Sequence, residues 1–131
     1  MRFAVIALAG WAALTVPASS QLAELGVLDR IEPGNWEIRL RDGSQPPYPI
    51  CLKNGRRLIQ LRHEALNCQQ LVVDGRADEV TVQYTCTGRG YGRTSIRRET
   101  GRLLQIETQG IADGLPFEFA AEARRIGDCN R

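Results

Sequence analysis

Apolar and polar residues alternate along most of the chain after residue 33. In the segment NWEIRLRD, Trp36, Ile38 and Leu40 fall on one face, and charged residues fall on the other. Such alternation is typical of a β-strand with one face buried. We therefore predict a first strand here, with Trp36 anchoring it in the core and Gly34 breaking the chain just before it.

Five further strand-like runs follow residue 67, namely CQQLVVD, EVTVQYTCT, RTSIRRET, RLLQIETQ and PFEFAAEARR. The turns between them are short and rich in glycine and aspartate. Such turns favour antiparallel hairpins, because parallel neighbours need a crossover of about a dozen residues or more. The predicted inward-facing residues are Trp36, Ile38, Leu40, Leu71, Val73, Val80, Val82, Tyr84, Ile96, Leu104, Ile106, Phe117 and Phe119.

The segment NGRRLIQLRH, from Asn54 to His63, has a different period. Leu58, Ile59 and Leu61 are spaced as on a helix, and Asn54 is a candidate N-cap. We predict one short amphipathic helix. The predicted fold class is mainly β (α+β): a curved antiparallel sheet or a partly open barrel of about six strands, with this helix packed against it.

Residues 1–20 have the three-part layout of a secretory signal peptide: Arg2, an apolar run, and small residues that include Ala18 and Ser20. The apolar run is shorter than the roughly 20 residues that a bilayer-spanning helix needs. We predict that this leader is removed and that residues 21–131 form a single periplasmic or secreted domain without a membrane span. Its net charge would be 16 minus 15, or +1, so the domain is not strongly basic.

The four cysteines predict two disulfides, because an even count in an exported chain is typical of cross-links. No CxxC spacing occurs and His63 is the only histidine, so we predict neither a metal site nor a cofactor. Two pairings remain open. Cys51 could join Cys68 while Cys86 joins Cys129. Alternatively, a regular hairpin about the turn DGRADE would place Cys68 opposite Cys86 and leave Cys51 for Cys129.

Candidate catalytic residues are few. Any triad would have to use His63 as its base, and no serine lies in a Gly-x-Ser-x-Gly context. Glu99, Glu107, Glu118 and Glu122 occupy outward strand positions near arginines, which favours cross-strand ion pairs over acid–base chemistry. We therefore expect no enzymatic activity.

The stretch CTGRGYGRTSIRRETGR, residues 86–102, carries five arginines and one glutamate, a local net charge of +4. This charge is enough for a modest anion-attracting patch. Single-strand nucleic-acid binders interleave several aromatic residues with the basic ones, whereas only one occurs here, so we predict no nucleic-acid partner. The alternation favours a solvated strand face. If this face binds an anion, the candidate residues are Arg89, Tyr91, Arg93, Arg97 and Arg98.

Four features occur together in this sequence. They are the motif EPGNWEIR, the Cys-Leu pair that enters the predicted helix, the hairpin between Cys68 and Cys86, and the C-terminal Gly-Asp-Cys at residues 127–129. This combination resembles domain-of-unknown-function family 3617, a family of small exported proteins of Gram-negative bacteria. The resemblance covers residues 33–129, and Lys53 stands where the family usually has threonine. It implies an exported, disulfide-bonded, β-rich domain, and it implies no activity, ligand or catalytic residue.

These features together predict a non-catalytic binding or accessory module of the cell envelope, whose partner, an envelope component or an anionic ligand, is unknown. Two alternatives remain open. One is an anion-binding protein that uses the arginine-rich hairpin face. The other is a carrier that holds a small apolar ligand on the concave side of the sheet.

Overall fold

The structure, a computed structural model, describes residues 24–130 and contains a seven-stranded open antiparallel sheet with helical segments on one face. The predicted signal peptide, residues 1–20, lies outside the described residues. The elements in chain order are helix α1 Gly26–Asp29, β1 Gly34–Leu40, β2 Tyr48–Leu52, a 3₁₀ helix Gly55–His63, β3 Gln69–Gly75, β4 Glu79–Cys86, β5 Gly90–Thr100, β6 Leu103–Ala112 and β7 Leu115–Gly127. Within residues 24–130, no helix is long and apolar enough to cross a membrane.

The strands are ordered β2-β1-β7-β6-β5-β4-β3, and every neighbouring pair is antiparallel. The predicted mainly-β fold is confirmed. The sheet has one strand more than the hydrophobic pattern indicates, namely β2. Prolines at positions 46, 47 and 49 interrupt the alternation there. They are compatible with an edge strand, because its outer N–H groups need no partner in the sheet.

The first strand is anchored by Trp36, which is fully buried and donates a hydrogen bond from Nε1 to the carbonyl oxygen of Glu32 over 3.0 Å. Gly34 begins this strand in a backbone conformation with a φ of +155°. A Cβ at this position would lie 2.5 Å from the carbonyl oxygen of Gly127 on β7. Glycine is therefore required where β1 joins β7.

The predicted phase of β3 is wrong. Leu71 and Val73 are 56% and 39% exposed, whereas Val72 between them is buried. The register of β3 with β4 places Val72 opposite Val82, and directly opposite residues share a face of the sheet. Since residues 71–73 are all apolar, the alternation carries no phase information at this point.

The two phenylalanines predicted to face inward on β7 are less buried than predicted. Phe117 and Phe119 are half-buried, while Ala121 and Ala123 on the same face are fully buried. The Phe117 ring lies at the end of the 3₁₀ helix, edge-on to the ring of His63 with 5.8 Å between centroids. Leu40 on β1 is half-buried as well.

The disulfides follow the second of the two open pairings. Cys51 is bonded to Cys129, and Cys68 is bonded to Cys86, with Cα–Cα distances of 5.5 Å and 4.3 Å. Cys68 immediately precedes β3, and Cys86 ends β4, so this bond lies where the hairpin register continues.

The predicted helix is present, but it has 3₁₀ geometry. Asn54 caps it, because its Oδ1 atom accepts a hydrogen bond from the backbone N–H of Arg56 over 3.0 Å. A non-helical Gln60, with φ −124° and ψ 48°, interrupts the segment. Leu58 and Ile59 are fully buried against the sheet, so this segment covers the apolar face and leaves the opposite face of the sheet to solvent.

Candidate binding groove

The solvent-exposed face of the sheet carries rows of side chains that the antiparallel register aligns across neighbouring strands. Arg93 on β5 lies opposite Gln109 on β6, and Gln109 lies opposite Glu118 on β7. Gln83 on β4 extends this row on the other side of Arg93. Within residues 24–130, none of these four side chains has a hydrogen-bond or ion-pair partner. We call Arg93, Gln109 and Glu118 the unpaired triplet.

A second row of the same composition crosses the same three strands four residues away. It consists of Arg97, Gln105 and Glu122, which we call the paired triplet. Arg97 contacts Glu99 at 3.3 Å, Gln105 donates hydrogen bonds to Glu99 and Glu122, and Glu122 accepts from Arg124 at 3.0 Å. The hydrogen bond from Arg124 is the main reason why the pKa of Glu122 lies below its ordinary value.

Two adjoining depressions, of about 520 and 580 Å³, open over the unpaired triplet and share all three of its residues. These volumes fall in the range of small-molecule sites. On the side toward the paired triplet, the lining includes two small residues, Ser95 and Ala120, with the carboxylate-bearing Glu107 between them. On the other side the lining is mainly apolar and includes Tyr91, Ile111 and Pro116, whereas the ring of Phe117 lies on the covered face beside His63. The two depressions together form one groove with a polar centre and an apolar wall.

The covered side of the sheet beneath this groove is closely packed by a tyrosine ring. Gly92, next to Arg93, pairs with Gly110, next to Gln109. A Cβ on Gly92 would lie 2.4 Å from the Tyr84 ring. Tyr84 occupies the space that a side chain on Gly92 would take, and a Cβ on Gly110 would lie 2.1 Å from the carbonyl oxygen of Tyr91, so the backbone under the groove is fixed by direct contact.

The structure distributes the five residues predicted from the arginine stretch over both faces of β5 and the turn before it. Two line the groove: Tyr91 and Arg93. Arg89 lies in the turn and contacts Asp113 at 3.5 Å. Arg98 lies on the other face of β5 and donates a hydrogen bond to Asp78 over 2.7 Å. Arg97 belongs to the paired triplet. The groove therefore brings together two of the five, and Arg93 is the arginine among them without an acidic partner in the described part of the chain.

Gln83 and Gln109 were missed by the sequence reasoning. Glu118 was predicted as an outward carboxylate in a cross-strand ion pair, but among the described residues it lies in the groove without such a partner.

The sequence contains a signal for one of the alignments in the unpaired triplet, because the turn that joins β6 to β7 is short. Counting outward from that turn aligns Gln109 with Glu118. Counting outward from the β5–β6 turn would have placed Gly110 opposite Arg93, because a register shift between Arg98 and Thr100 moves the pairing by one residue.

His63, the candidate catalytic base, is buried in the core at 5% exposure. Its Nδ1 atom is 2.9 Å from the Tyr84 hydroxyl, and its Nε2 atom has no hydrogen-bond partner among the described residues. Burial raises the pKa of Tyr84 to about 12, so the phenol remains protonated at neutral pH. The surroundings of His63 are aromatic, because the Tyr84 and Phe117 rings meet it edge-on. This arrangement packs the 3₁₀ helix against β4 and β7.

Clusters suited to metal binding or acid–base chemistry do not occur in the described residues. No group of three or more His, Cys, Asp or Glu side chains there could hold a metal ion. Of the predicted outward carboxylates, Glu99 and Glu122 belong to the network of the paired triplet. Glu107 and Glu118 both line the groove, and Glu107 is 3.9 Å from Arg41.

Fold and groove together define a small, disulfide-bonded antiparallel β domain with one covered and one exposed sheet face. The chain belongs to the family described as "Protein of unknown function (DUF3617)", whose model matches residues 31–129. The match spans both triplets and all four cysteines. No curated protein and no solved structure is significantly similar to this chain.

Proposed function

We propose that this protein is an exported, non-catalytic binding module of the cell envelope, and that its groove binds a ligand through an anionic group held by Arg93. Export is supported by the signal-like pattern of residues 1–20 and by two disulfides, since disulfides persist in oxidising compartments outside the cytosol. The absence of catalysis is supported by the burial of His63 among aromatic rings.

The observation that carries the binding proposal is the unpaired triplet itself. An arginine guanidinium presents several N–H donors in a plane, an arrangement that matches a carboxylate or a phosphate. Arg93 lies in a groove of several hundred Å³ without an acidic partner in residues 24–130, whereas Arg97 on the same strand already contacts Glu99. An incoming anion therefore meets less competition at Arg93.

A carrier of a small apolar ligand, the other alternative, would need space on the covered face. There Trp36, Ile38, Leu58, Ile96 and Ile106 are all completely buried in one cluster with the helical segments. We therefore favour the exposed groove over the covered face as the binding site.

The test uses 3-phenylpropionate, a small carboxylate with an aromatic group that could pack against the apolar wall. Titration followed by two-dimensional amide NMR should give saturable shifts on β5, β6 and β7 around Arg93 and Gln109. Arg93→Gln should lose these shifts. Arg97→Gln, which removes the same charge from the same strand, should retain them.

Both variants should unfold within about 0.5 kcal/mol of the wild type, because both side chains are on the surface. The proposal is wrong if the wild-type protein shows no saturable shift, or if Arg93→Gln binds the probe as well as the wild type does.

A further inference from the structure

The groove contains charges of both signs, which restricts the ligands that it fits. Arg93 contributes a cation at the β5 side, and Glu118 contributes an anion at the β7 side, with the neutral amide of Gln109 between them. An extended polyanion crossing this row would meet the Glu118 carboxylate, and like charges repel. A ligand that carries one anion and one cation would satisfy both ends.

The Cα spacing of the two charged residues gives a scale for the length of such a ligand. Residues directly opposite in neighbouring antiparallel strands have Cα atoms about 4.5 to 5.5 Å apart, so Arg93 and Glu118, two strands apart, are separated by about 10 Å. An extended peptide advances about 3.3 to 3.6 Å per residue, so three residues span about 10 Å. A tripeptide therefore places its two charged termini at the spacing of this row.

The middle of the row suits a peptide backbone and an apolar side chain. Gln109 has both a donor and an acceptor, which can pair with the N–H and C=O groups of a peptide unit. Ile111 lies two residues further along β6 on the same face, within the apolar wall formed with Tyr91 and Pro116. A central apolar side chain of the ligand would pack there.

We propose that the groove binds a short zwitterionic peptide of about three residues, with its carboxylate on Arg93, its ammonium group on Glu118 and its central apolar side chain against Ile111. This inference rests on the proposed binding function of the groove. It adds the chemical class of the ligand, its length and its direction across the strands.

The test compares three forms of one probe, the tripeptide Ala-Leu-Ala: with both termini free, N-acetylated, and C-amidated. Each modification removes one terminal charge, and with it one charge-assisted contact. We expect each to weaken binding to the wild-type protein about five- to tenfold in isothermal titration or NMR titration.

Variants then assign each terminus to a residue. Glu118→Gln should bind the free and N-acetylated peptides equally, and Arg93→Gln should bind the free and C-amidated peptides equally. The matched controls, Glu122→Gln and Arg97→Gln in the paired triplet, should discriminate among the peptides as the wild type does.

The two proposals fail separately. If phenylpropionate binds in an Arg93-dependent way but the N-acetylated peptide binds as well as the free one, the zwitterionic ligand is refuted and the anion-binding groove stands. If neither phenylpropionate nor Ala-Leu-Ala binds the wild-type protein, both proposals are refuted.

Discussion

Two Arg–Gln–Glu triplets cross the same three strands of the exposed face, yet within residues 24–130 only one of them makes side-chain hydrogen bonds and ion pairs. Around the paired triplet, Glu99 and Arg124 supply the opposite charges that Arg97 and Glu122 need. On β5 and β7 the corresponding neighbours of Arg93 and Glu118 are apolar or small, and Glu107 on β6 contacts Arg41, so in the described residues Arg93 and Glu118 are left to solvent or to a ligand. The same residue types thus form stabilising contacts in the paired triplet and are available to a ligand in the unpaired triplet. The difference comes from the neighbours two positions away on the same strands.

The two triplets also differ in what lies beneath them on the covered face. Ile96 and Ile106 pair with each other near the paired triplet, and both are fully buried. Near the unpaired triplet, the corresponding pair is Gly92 and Gly110, with the Tyr84 ring packed directly against the backbone. Side-chain packing supports one row from below, and close backbone contact supports the other.

The largest effect on stability is expected from removing the disulfides. One disulfide lies beyond each triplet, so the two can be compared. Cys51–Cys129 lies beyond the paired triplet and closes a separation of 78 residues, while Cys68–Cys86 lies beyond the unpaired triplet and closes 18. In the chain-entropy description, their removal costs about 4.5 and about 3 kcal/mol of unfolding free energy. Urea unfolding of the double variants C51A/C129A and C68A/C86A would measure both values.

Amide hydrogen exchange on the same variants would refine this result. We expect the backbone around Arg93 to exchange faster in C68A/C86A than in C51A/C129A, because the end of the sheet near Arg93 has fewer side-chain ion pairs to hold it. Equal protection of Arg93 in the two variants would contradict this difference between the ends of the sheet.

The next effect concerns the support beneath the groove. Gly92→Ala places a methyl group 2.4 Å from the Tyr84 ring. This ring is buried, and its hydroxyl is hydrogen-bonded to His63. Such overpacking should cost about 2 to 3 kcal/mol. Ile96→Val, beneath the paired triplet, should cost only about 1 kcal/mol. Thermal or urea unfolding would compare them, and a Gly92→Ala protein as stable as the wild type would show that Tyr84 does not hold the backbone there.

The alternation of apolar residues predicted most of this architecture. It located six of the seven strands and the outward positions of the arginines and glutamates of both triplets, and the short turns between the later strands predicted antiparallel pairing. It failed where the pattern carries no phase, as in the apolar run from Leu71 to Val73. The facing positions of Cys68 and Cys86 in a hairpin would have resolved that phase, since both cysteines must point to one side of the sheet.

The candidate site was harder to predict from the sequence than the fold was. Arg93 and Arg97 both occupy outward positions of one strand, and nothing within that strand distinguishes them except Glu99, two residues from Arg97. The acidic partner of Arg97 is local, but whether Arg93 also meets a partner depends on residues from other strands, such as Glu118, which reach β5 only through the register of two hairpins. Local patterns therefore identified the arginines, and the cross-strand alignment was needed to show which of them is free.

The smallest effect separates the two glutamates of the triplets. Glu122 accepts hydrogen bonds from Arg124 and Gln105, which keep its pKa below the ordinary value of 4.5. A carboxylate with a lowered pKa in the folded state stabilises the protein above its unfolded-state pKa, and this contribution disappears as the pH falls through the folded-state value. Glu122→Gln should therefore cost about 0.5 kcal/mol at pH 7, a value reduced by solvent screening because the side chain is partly exposed.

Glu118→Gln is the matched control, since Glu118 has no hydrogen-bond or ion-pair partner among residues 24–130. Its unfolding free energy at pH 7 should equal that of the wild type within the error of the measurement. The difference between the wild type and Glu122→Gln should be constant from pH 6 to 8 and should shrink below about pH 4.5. Urea unfolding across this pH range would measure it. Equal losses of unfolding free energy in the two variants at pH 7 would mean that the paired and unpaired triplets contribute equally to the stability of the fold. That result would remove the physical basis for treating Arg93 and Glu118 as a binding site.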